Sequence, residues 1–226
     1  MMKLYYAPAS SYSQRVLIAL YEKDAAFTPI EVNLFDKEER SQYTKINPFA
    51  KIPTLVTESG QILFEACIII EYLDQKFQNK PHLIPQEPKL ALEVRMLERI
   101  VDAYINRGRE ALFSDTQRPV EEQGSSEIKK AHRLLETACL QLEERLSDRT
   151  WLAGEEFSLA DCAAAPTLSY LRMVYSYKHF PQLTNYVRRL ESRPSVAKVQ
   201  NSGREQMIQM LSALKNPLEL MPLDNG

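Results

Sequence analysis

Apolar positions recur at helical spacing through most of this chain and alternate only near its start. Residues 3–7 are β-prone, and residues 11–23 follow with Val16, Leu17, Leu20 and Tyr21 on one side of a 3.6-residue period, predicting a strand that runs into a helix. Residues 28–33 turn Ile30 and Val32 inward, residues 38–46 make a short polar helix, and residues 53–57 make a short apolar strand. Ser59-Gly60 is a tight turn into a returning strand at 62–64, and residues 66–77 carry Ile69, Ile70, Leu73 and Phe77 at helical spacing. The predicted order is βαβαββα.

The segment NKPHLIPQEP at 79–88 holds three prolines, which lack backbone donors and cannot continue a helix. This predicts a domain at 1–79, a linker at 80–88 and an all-helical bundle at 89–226, with amphipathic stretches near 90–113, 127–146, 159–175, 181–192 and 204–214. TQRPVEEQGSSE at 116–127 reads as a solvated interhelical loop, and the tail from 216 to 226, with Pro217 and Pro222, is open between folding over the molecule and hanging free.

Composition narrows the function. With 28 basic and 30 acidic side chains in 226 residues, the net charge is −2 and the sequence pI is near 6.0, which gives no general support for binding nucleic acid by counterion release. Arg15, Glu22 and Lys23 interrupt the first apolar stretch, so no membrane or export segment is expected and the default is a cytoplasmic protein. Cys67, Cys139 and Cys162 are widely spaced in apolar helical patterns and read as reduced core thiols. His82, His132 and His179 stand at no metal-ligand spacing, so no metal is expected. The six glycines form neither a GxGxxG nor a P-loop.

Four local sequences hold candidate chemistry. YAPASSYSQRV at 6–16 places hydroxyls just before the first helical turn, where serine is a natural N-cap and Ser11 with Gln14 has capping-box spacing. The alternative is that Ser10 points into a cleft at the positive end of the helix, where free amides and the macrodipole favour an anion. NPFAKIPTLV at 47–56 starts a strand at Pro53, where a missing donor is tolerated, and Lys51 is either solvated or a ligand contact. SGQILFEACIII at 59–70 puts Glu65 in a first helical turn, which dipole complementation alone explains. EEFSLADCAAAP at 155–166 has Ser158 as N-cap, Asp161 three positions on, and Phe157 with Cys162 as a hydrophobic staple, a structural motif throughout. In the helix at 90–113, Tyr104, Arg107 and Glu110 fall near one stripe that faces either a pocket or a neighbouring helix.

Together these runs, on a βαβαββα unit followed by helices, resemble the cytosolic glutathione transferase superfamily, of the bacterial, serine-type kind with some zeta and theta character. The resemblance implies a thioredoxin-like glutathione-binding domain followed by an all-α domain contributing the electrophile pocket, with Tyr104 and Arg107 as pocket candidates. It implies that Ser10, with Ser11 as close rival, stabilises the glutathione thiolate without being a nucleophile itself. The Ile52–Pro53 bond would be cis, with Ile52 pairing its backbone to the cysteinyl unit. Lys51 would meet the glycyl carboxylate and Glu65 the γ-glutamyl ammonium. The family commonly has glycine where Ala50 stands, and serine where Ala66 stands. A charge-assisted hydrogen bond is worth about 1.5 to 3 kcal/mol, so losing the serine hydroxyl at position 66, while the amide remains, would weaken glutathione roughly ten- to a hundredfold.

The implied activity is a homodimeric, cytoplasmic detoxification enzyme that adds glutathione, its co-substrate, to small hydrophobic electrophiles, with no metal and no nucleic-acid or membrane partner. One alternative is a non-catalytic binding or regulatory protein on the same fold, which the alanine at 66 would suit. Another is a zeta-type glutathione-dependent isomerase, disfavoured because that type has cysteine where this chain has Tyr12. A thioredoxin-type oxidoreductase is discounted, since residues 10–13 contain no thiol.

Overall fold

The structure is a computed structural model that describes residues 1–223. Its first part is a four-stranded mixed sheet in the order β2-β1-β3-β4, built from β1 (Met2–Tyr6), β2 (Phe27–Glu31), β3 (Thr54–Val56) and β4 (Ile62–Phe64). The parallel pair β1–β2 requires a crossover, which α1 (Ser11–Glu22) supplies, while β3 and β4 form an antiparallel hairpin turning at Gly60, whose φ is +84°. Leu4 is central, aligned with Pro29 on one side and Leu55 on the other. Pro29 is tolerated because β2 is an edge strand and needs no outer donor. Helices α2 (Lys37–Tyr43) and α3 (Ala66–Lys76) complete the βαβαββα order.

The helical part begins with α4 (Pro88–Ile100), continues through a π-helical turn at Val101–Asn106 into α5 (Arg107–Thr116), and adds α6 (Ser126–Arg145), α7 (Leu159–Leu171), α8 (Pro181–Ser192) and α9 (Pro194–Ser212). The small-sheet domain followed by helices is the expected architecture. Several boundaries differ: α2 ends at Tyr43 rather than 46 and α7 at Leu171 rather than 175. The 90–113 stretch is broken by the π turn, and the last helix starts at Pro194, ten residues before the expected 204, because Pro194 suits a first helical position whose amide needs no acceptor. Within 116–127 a 3₁₀ turn forms at Val120–Glu122, and the carboxylate of Asp115 accepts the amide of Gly124 at 3.0 Å.

One apolar core joins the two parts, running from Met2, Leu4 and Val16–Leu20 through α4 to α7, every residue of which is buried. Helix α1 packs against α3, α7 and α9. Two of the charges that interrupt its apolar run are therefore buried, each with partners. Lys23 is fully buried, its Nζ 2.6 Å from Asp74 Oδ1 and donating to the Pro81 carbonyl at 2.6 Å. The predicted linker is pinned by the same carboxylate, since Leu83 N–H donates to Asp74 at 2.7 Å and the Leu83 carbonyl accepts the Leu159 amide at 2.8 Å.

At the start of α7, Asp161 accepts from the Ser158 amide (2.9 Å), the Ser158 hydroxyl (2.8 Å), the Leu152 amide (3.0 Å) and the Tyr186 hydroxyl (2.6 Å). Burial pushes its carboxyl upward, and the four donors oppose that push. Arg193, between α8 and α9, grips Glu22 at the end of α1 with two hydrogen bonds of 2.7 and 2.8 Å. Cys139 and Cys162 are buried free thiols, while Cys67 is half-buried rather than in the core. As far as Leu223 the tail folds back: Leu218 and Leu220 pack with Tyr170, Met173 and Leu211, and the Met221 amide donates to the Arg172 carbonyl at 3.0 Å. Residues 224–226 lie outside the described residues. No helix among the described residues is long and apolar enough to cross a membrane.

Candidate active site

Two cavities adjoin where the sheet domain meets α5. The first, about 370 Å³, is a polar groove lined by Asn47, Phe49, Ala50, Lys51, Ile52, Pro53, Phe64, Glu65 and Ala66 from the sheet domain, with Asp102 and Glu110 from the helices. The second, about 290 Å³, is mainly apolar and contains Ser10, Ser11, Arg109, Phe113 and Tyr170 together with methionines and leucines from the turn after α7, from α9 and from the segment after it. Tyr12 and Glu110 line both.

All five residues expected along the peptide groove, Lys51, Ile52, Pro53, Glu65 and Ala66, are thus brought to one surface. Ile52–Pro53 is cis. Above it, Lys51 O accepts from the Tyr43 hydroxyl and Asn47 Nδ2, each at 2.8 Å, so this loop is fixed from behind. Ala50 takes φ +49° where the family commonly has glycine, the backbone region a glycine would enter without steric cost. Glu65 is exposed and has φ +70°, an uncommon conformation for a side chain of that size, and it makes no cap hydrogen bond to α3. Its carboxylate therefore caps no amide of α3, and the residue lines the groove. Ala66 is the first residue of α3, with its amide at the positive end of that helix.

Ser10 is the N-cap of α1: its Oγ accepts the Ser13 amide at 3.3 Å, and its own amide donates to the Ala7 carbonyl at 3.0 Å. A hydroxyl that accepts from Ser13 still has its proton to donate, so capping and anion binding coexist at Ser10. The amides of Ser11 and Tyr12 have no acceptor among the described residues, as expected for a first helical turn. The Ser11–Gln14 box does not form. Gln14 turns the other way, donating to the Pro8 carbonyl and the Tyr170 hydroxyl at 2.9 Å each. Tyr170 in turn donates to the Ala9 carbonyl at 3.0 Å, and Gln206 of α9 accepts the Ala9 amide at 2.9 Å, so α7 and α9 hold the serine loop.

Tyr104 and Arg107 are exposed and belong to neither lining. A π turn carries more residues per turn than an α-helix, so the stripe extrapolated from α4 is rotated, and Arg109, Glu110 and Phe113 face the cavities instead. Of the predicted stripe only Glu110 lines them.

Tyr12 and Arg15, which the sequence shows only as a departure from the zeta pattern and an interruption of an apolar run, hold the junction. The Tyr12 hydroxyl accepts from Asn106 Nδ2 at 2.9 Å, and the Arg15 guanidinium lies 4.4 Å from the centre of its ring. Burial, then the nearby Asp102 charge, push the Tyr12 phenol up to about 12. Arg15 bonds Asp102 at 3.0 Å and Thr167 at 2.9 Å, with Glu98 at 3.7 Å. Burial works against the charge of Asp102, but Arg15 and Tyr12 outweigh it and hold that carboxyl below its usual range; burial wins at Glu98, whose carboxyl is pushed up. An arginine within an apolar helix period is the one signal that could have flagged this network.

Among the described residues no cluster of three or more histidine, cysteine or acidic side chains could hold a metal ion. The arrangement is a polar groove with backbone and charged lining, next to an apolar chamber with which it shares Tyr12 and Glu110.

A thioredoxin-like small-sheet domain joined to a helical bundle, with these paired cavities, defines the class, and comparison with known proteins places the chain within it. Residues 4–81 match the family described as Glutathione S-transferase, N-terminal domain, and residues 100–194 match Glutathione S-transferase, C-terminal domain. The chain is 30% identical to a glutathione S-transferase of Methylobacillus flagellatus solved with glutathione bound, at TM-score 0.78 over 88% of this chain and 98% of that one. It is 28% identical to glutathione S-transferase F6 of Arabidopsis thaliana over 88% of this chain and 98% of the relative. It is 33% identical to a stringent starvation protein A homolog of Haemophilus ducreyi over 74% of this chain and 73% of the relative. The chain belongs to the glutathione S-transferase superfamily.

Proposed function

We propose that the protein is a serine-type glutathione transferase in which glutathione lies along the groove of Lys51, Ile52, Pro53, Glu65 and Ala66 and its sulfur reaches the boundary at Tyr12, beside the amino end of α1. The observation that carries this reading is the adjacency of that groove to an apolar chamber containing Ser10 and Ser11, with Tyr12 and Glu110 common to both. Lys51 meets the glycyl carboxylate, the Ile52 backbone pairs with the cysteinyl unit, and Glu65 holds the γ-glutamyl ammonium. The Ser10 hydroxyl donates to the thiolate while the unpaired amides of Ser11 and Tyr12 supply the positive end of the helix. A free thiol has a pKa of about 8.5, and helix N-termini lower it, so the bound thiol is ionised near neutral pH. A thiolate beside a bound electrophile needs little further catalysis. Ser11 is only 8% exposed, which favours Ser10 as the donor.

The exposed apolar side chains Phe49, Ile62, Ile68, Leu92 and Met96 support a homodimer in which copies cover one another's α3–α4 face. The test of the catalytic reading is ultraviolet titration of the thiolate in the protein–glutathione complex. Ser10→Ala should raise the apparent pKa of the bound thiol; superimposable curves, or no binding at millimolar glutathione, defeat the reading.

Ala66 at the groove, and the similarity to stringent starvation protein A homologs, favour a second reading, a non-catalytic binding or regulatory protein. Retention on immobilised glutathione together with turnover of an aromatic halide rejects it.

A further inference from the structure

The apolar chamber contains one cation. Phe113, Met173, Met207, Met210, Leu211 and Leu214 supply its apolar wall, and Arg109 stands among them with only 12% of its side chain exposed. Its Nε and Nη2 are anchored to Asn106 Oδ1 at 3.1 and 3.0 Å, and Nη2 reaches Glu110 at 3.4 Å. Nη1 has no partner among the described residues. Tyr12 and Tyr170, which line the same chamber, lie within electrostatic reach of the guanidinium. Glu110 is half exposed, so water screens its charge, whereas Arg109 is withdrawn from water. Burial also works against the charged form of Arg109. A largely buried cation held by two anchored nitrogens in the lining of an apolar space is a ready partner for an anion that enters that space.

We propose that the chamber takes aromatic or aliphatic electrophiles that carry a carboxylate, with Arg109 binding the carboxylate and the methionine wall holding the apolar body. This rests on the transferase reading and names its substrate class. Methionine side chains are unbranched and polarizable, so the wall adapts to different bodies while the guanidinium selects the charge. With an activated aryl chloride such as 4-chloro-3-nitrobenzoate, the glutathione thiolate forms a carbon–sulfur bond at the chlorinated carbon. The ring and nitro group take up the electron pair, and chloride then leaves with the pair of its own bond, the thiol proton having passed to solvent.

Two measurements test the proposal. Rates with 4-chloro-3-nitrobenzoate and with its methyl ester, each relative to its uncatalysed reaction with glutathione, should favour the acid. Arg109→Gln should lower the acid's enhancement about tenfold or more while changing the ester's less than threefold, and Arg109→Lys should recover part of the loss. Calorimetric binding of the unreactive pair 3-nitrobenzoate and 3-nitrobenzamide to the wild-type protein with glutathione present should show the acid tighter by about tenfold. Turnover with no preference for the acid overturns the inference and leaves the transferase reading intact. Acid-selective binding without turnover upholds the chamber's selectivity and overturns the transferase reading, and equal or absent binding of both probes overturns the inference.

Discussion

Arg15 of α1 and Asp102 of the π turn meet at 3.0 Å behind the groove, tying the sheet domain to the helical domain through a guanidinium only 2% exposed. Removing one partner of a buried ion pair leaves an uncompensated charge, which typically costs about 3 to 5 kcal/mol. Arg99 remains 3.2 Å from Asp102, so Arg15→Met should destabilise the protein by less than that, about 1 to 3 kcal/mol, and free the Tyr12 ring beneath it. Replacing Asp102 with asparagine in the Arg15→Met background should restore part of the loss. Urea denaturation of the two single variants and the double variant measures the coupling; additive losses would show that the pair does not join the two halves.

Restoring the family's serine at position 66 should tighten glutathione. Ala66 is 5% exposed at the first position of α3 and lines the groove, so in the proposed binding mode a serine hydroxyl there would add one charge-assisted hydrogen bond to the γ-glutamyl carboxylate. Ala66→Ser is expected to lower the glutathione dissociation constant about tenfold, corresponding to about 1.4 kcal/mol. Calorimetry reads it directly, and an unchanged constant would place the γ-glutamyl end elsewhere.

These two sites show how far the chain can be read unaided. Local chemistry shows only that Pro53 precedes a strand and Glu65 a helix; that these short loops meet on one surface follows from the family resemblance of their motifs, and Lys51, Ile52, Pro53, Glu65 and Ala66 do share that surface. The Ser158–Asp161 motif was legible from local chemistry alone. Arg15 and Lys23 were read as interruptions of an apolar run, because their partners Asp102, Glu98, Asp74 and the Pro81 carbonyl are far away in sequence and only packing brings them close. Gln14 likewise answers to Tyr170 rather than to Ser11. Tyr104 and Arg107 were placed by extending an α period across a turn that is π-helical, a change of pitch that apolar spacing does not reveal.

The link between α1 and the last two helices should be acid-sensitive. Burial works against the charge of Glu22, but hydrogen bonds from Arg193 and Ser195 overcome it and hold the carboxyl below its ordinary 4.5. A carboxyl with a depressed folded-state pKa contributes stability that is complete above the unfolded value and is lost as pH falls through the folded one. Glu22→Gln should therefore cost about 1 to 3 kcal/mol at pH 7, and the gap to wild type should shrink below pH 4.5. Thermal unfolding from pH 7 to pH 3 shows it, and a gap that is constant or widens with acid contradicts the assignment.

The serine loop depends on a glycine 193 residues further along the chain. A Cβ on Gly203 would collide with the Pro8 carbonyl oxygen and stand 2.8 Å from its carbon and 2.9 Å from Gln14 Nε2. Alanine would otherwise be the better residue in mid-helix, by about 0.8 to 1 kcal/mol. Here the clash is with backbone, which cannot turn aside as a long side chain can, and overpacking of this kind costs typically 1 to 3 kcal/mol or more, so steric repulsion outweighs propensity. To accept the methyl, α9 must move off the loop, loosening the Gln206–Ala9 and Gln14–Pro8 bonds that position Ser10. Gly203→Ala should thus lower stability by up to about 2 kcal/mol net and, in the protein that remains folded, raise the apparent pKa of bound glutathione thiol in the direction expected of Ser10→Ala, although position 203 lines neither cavity. Denaturation and thiolate titration on one preparation separate the two effects. A destabilised variant with an unaltered thiolate curve would show that α9 supports the fold without positioning the serine.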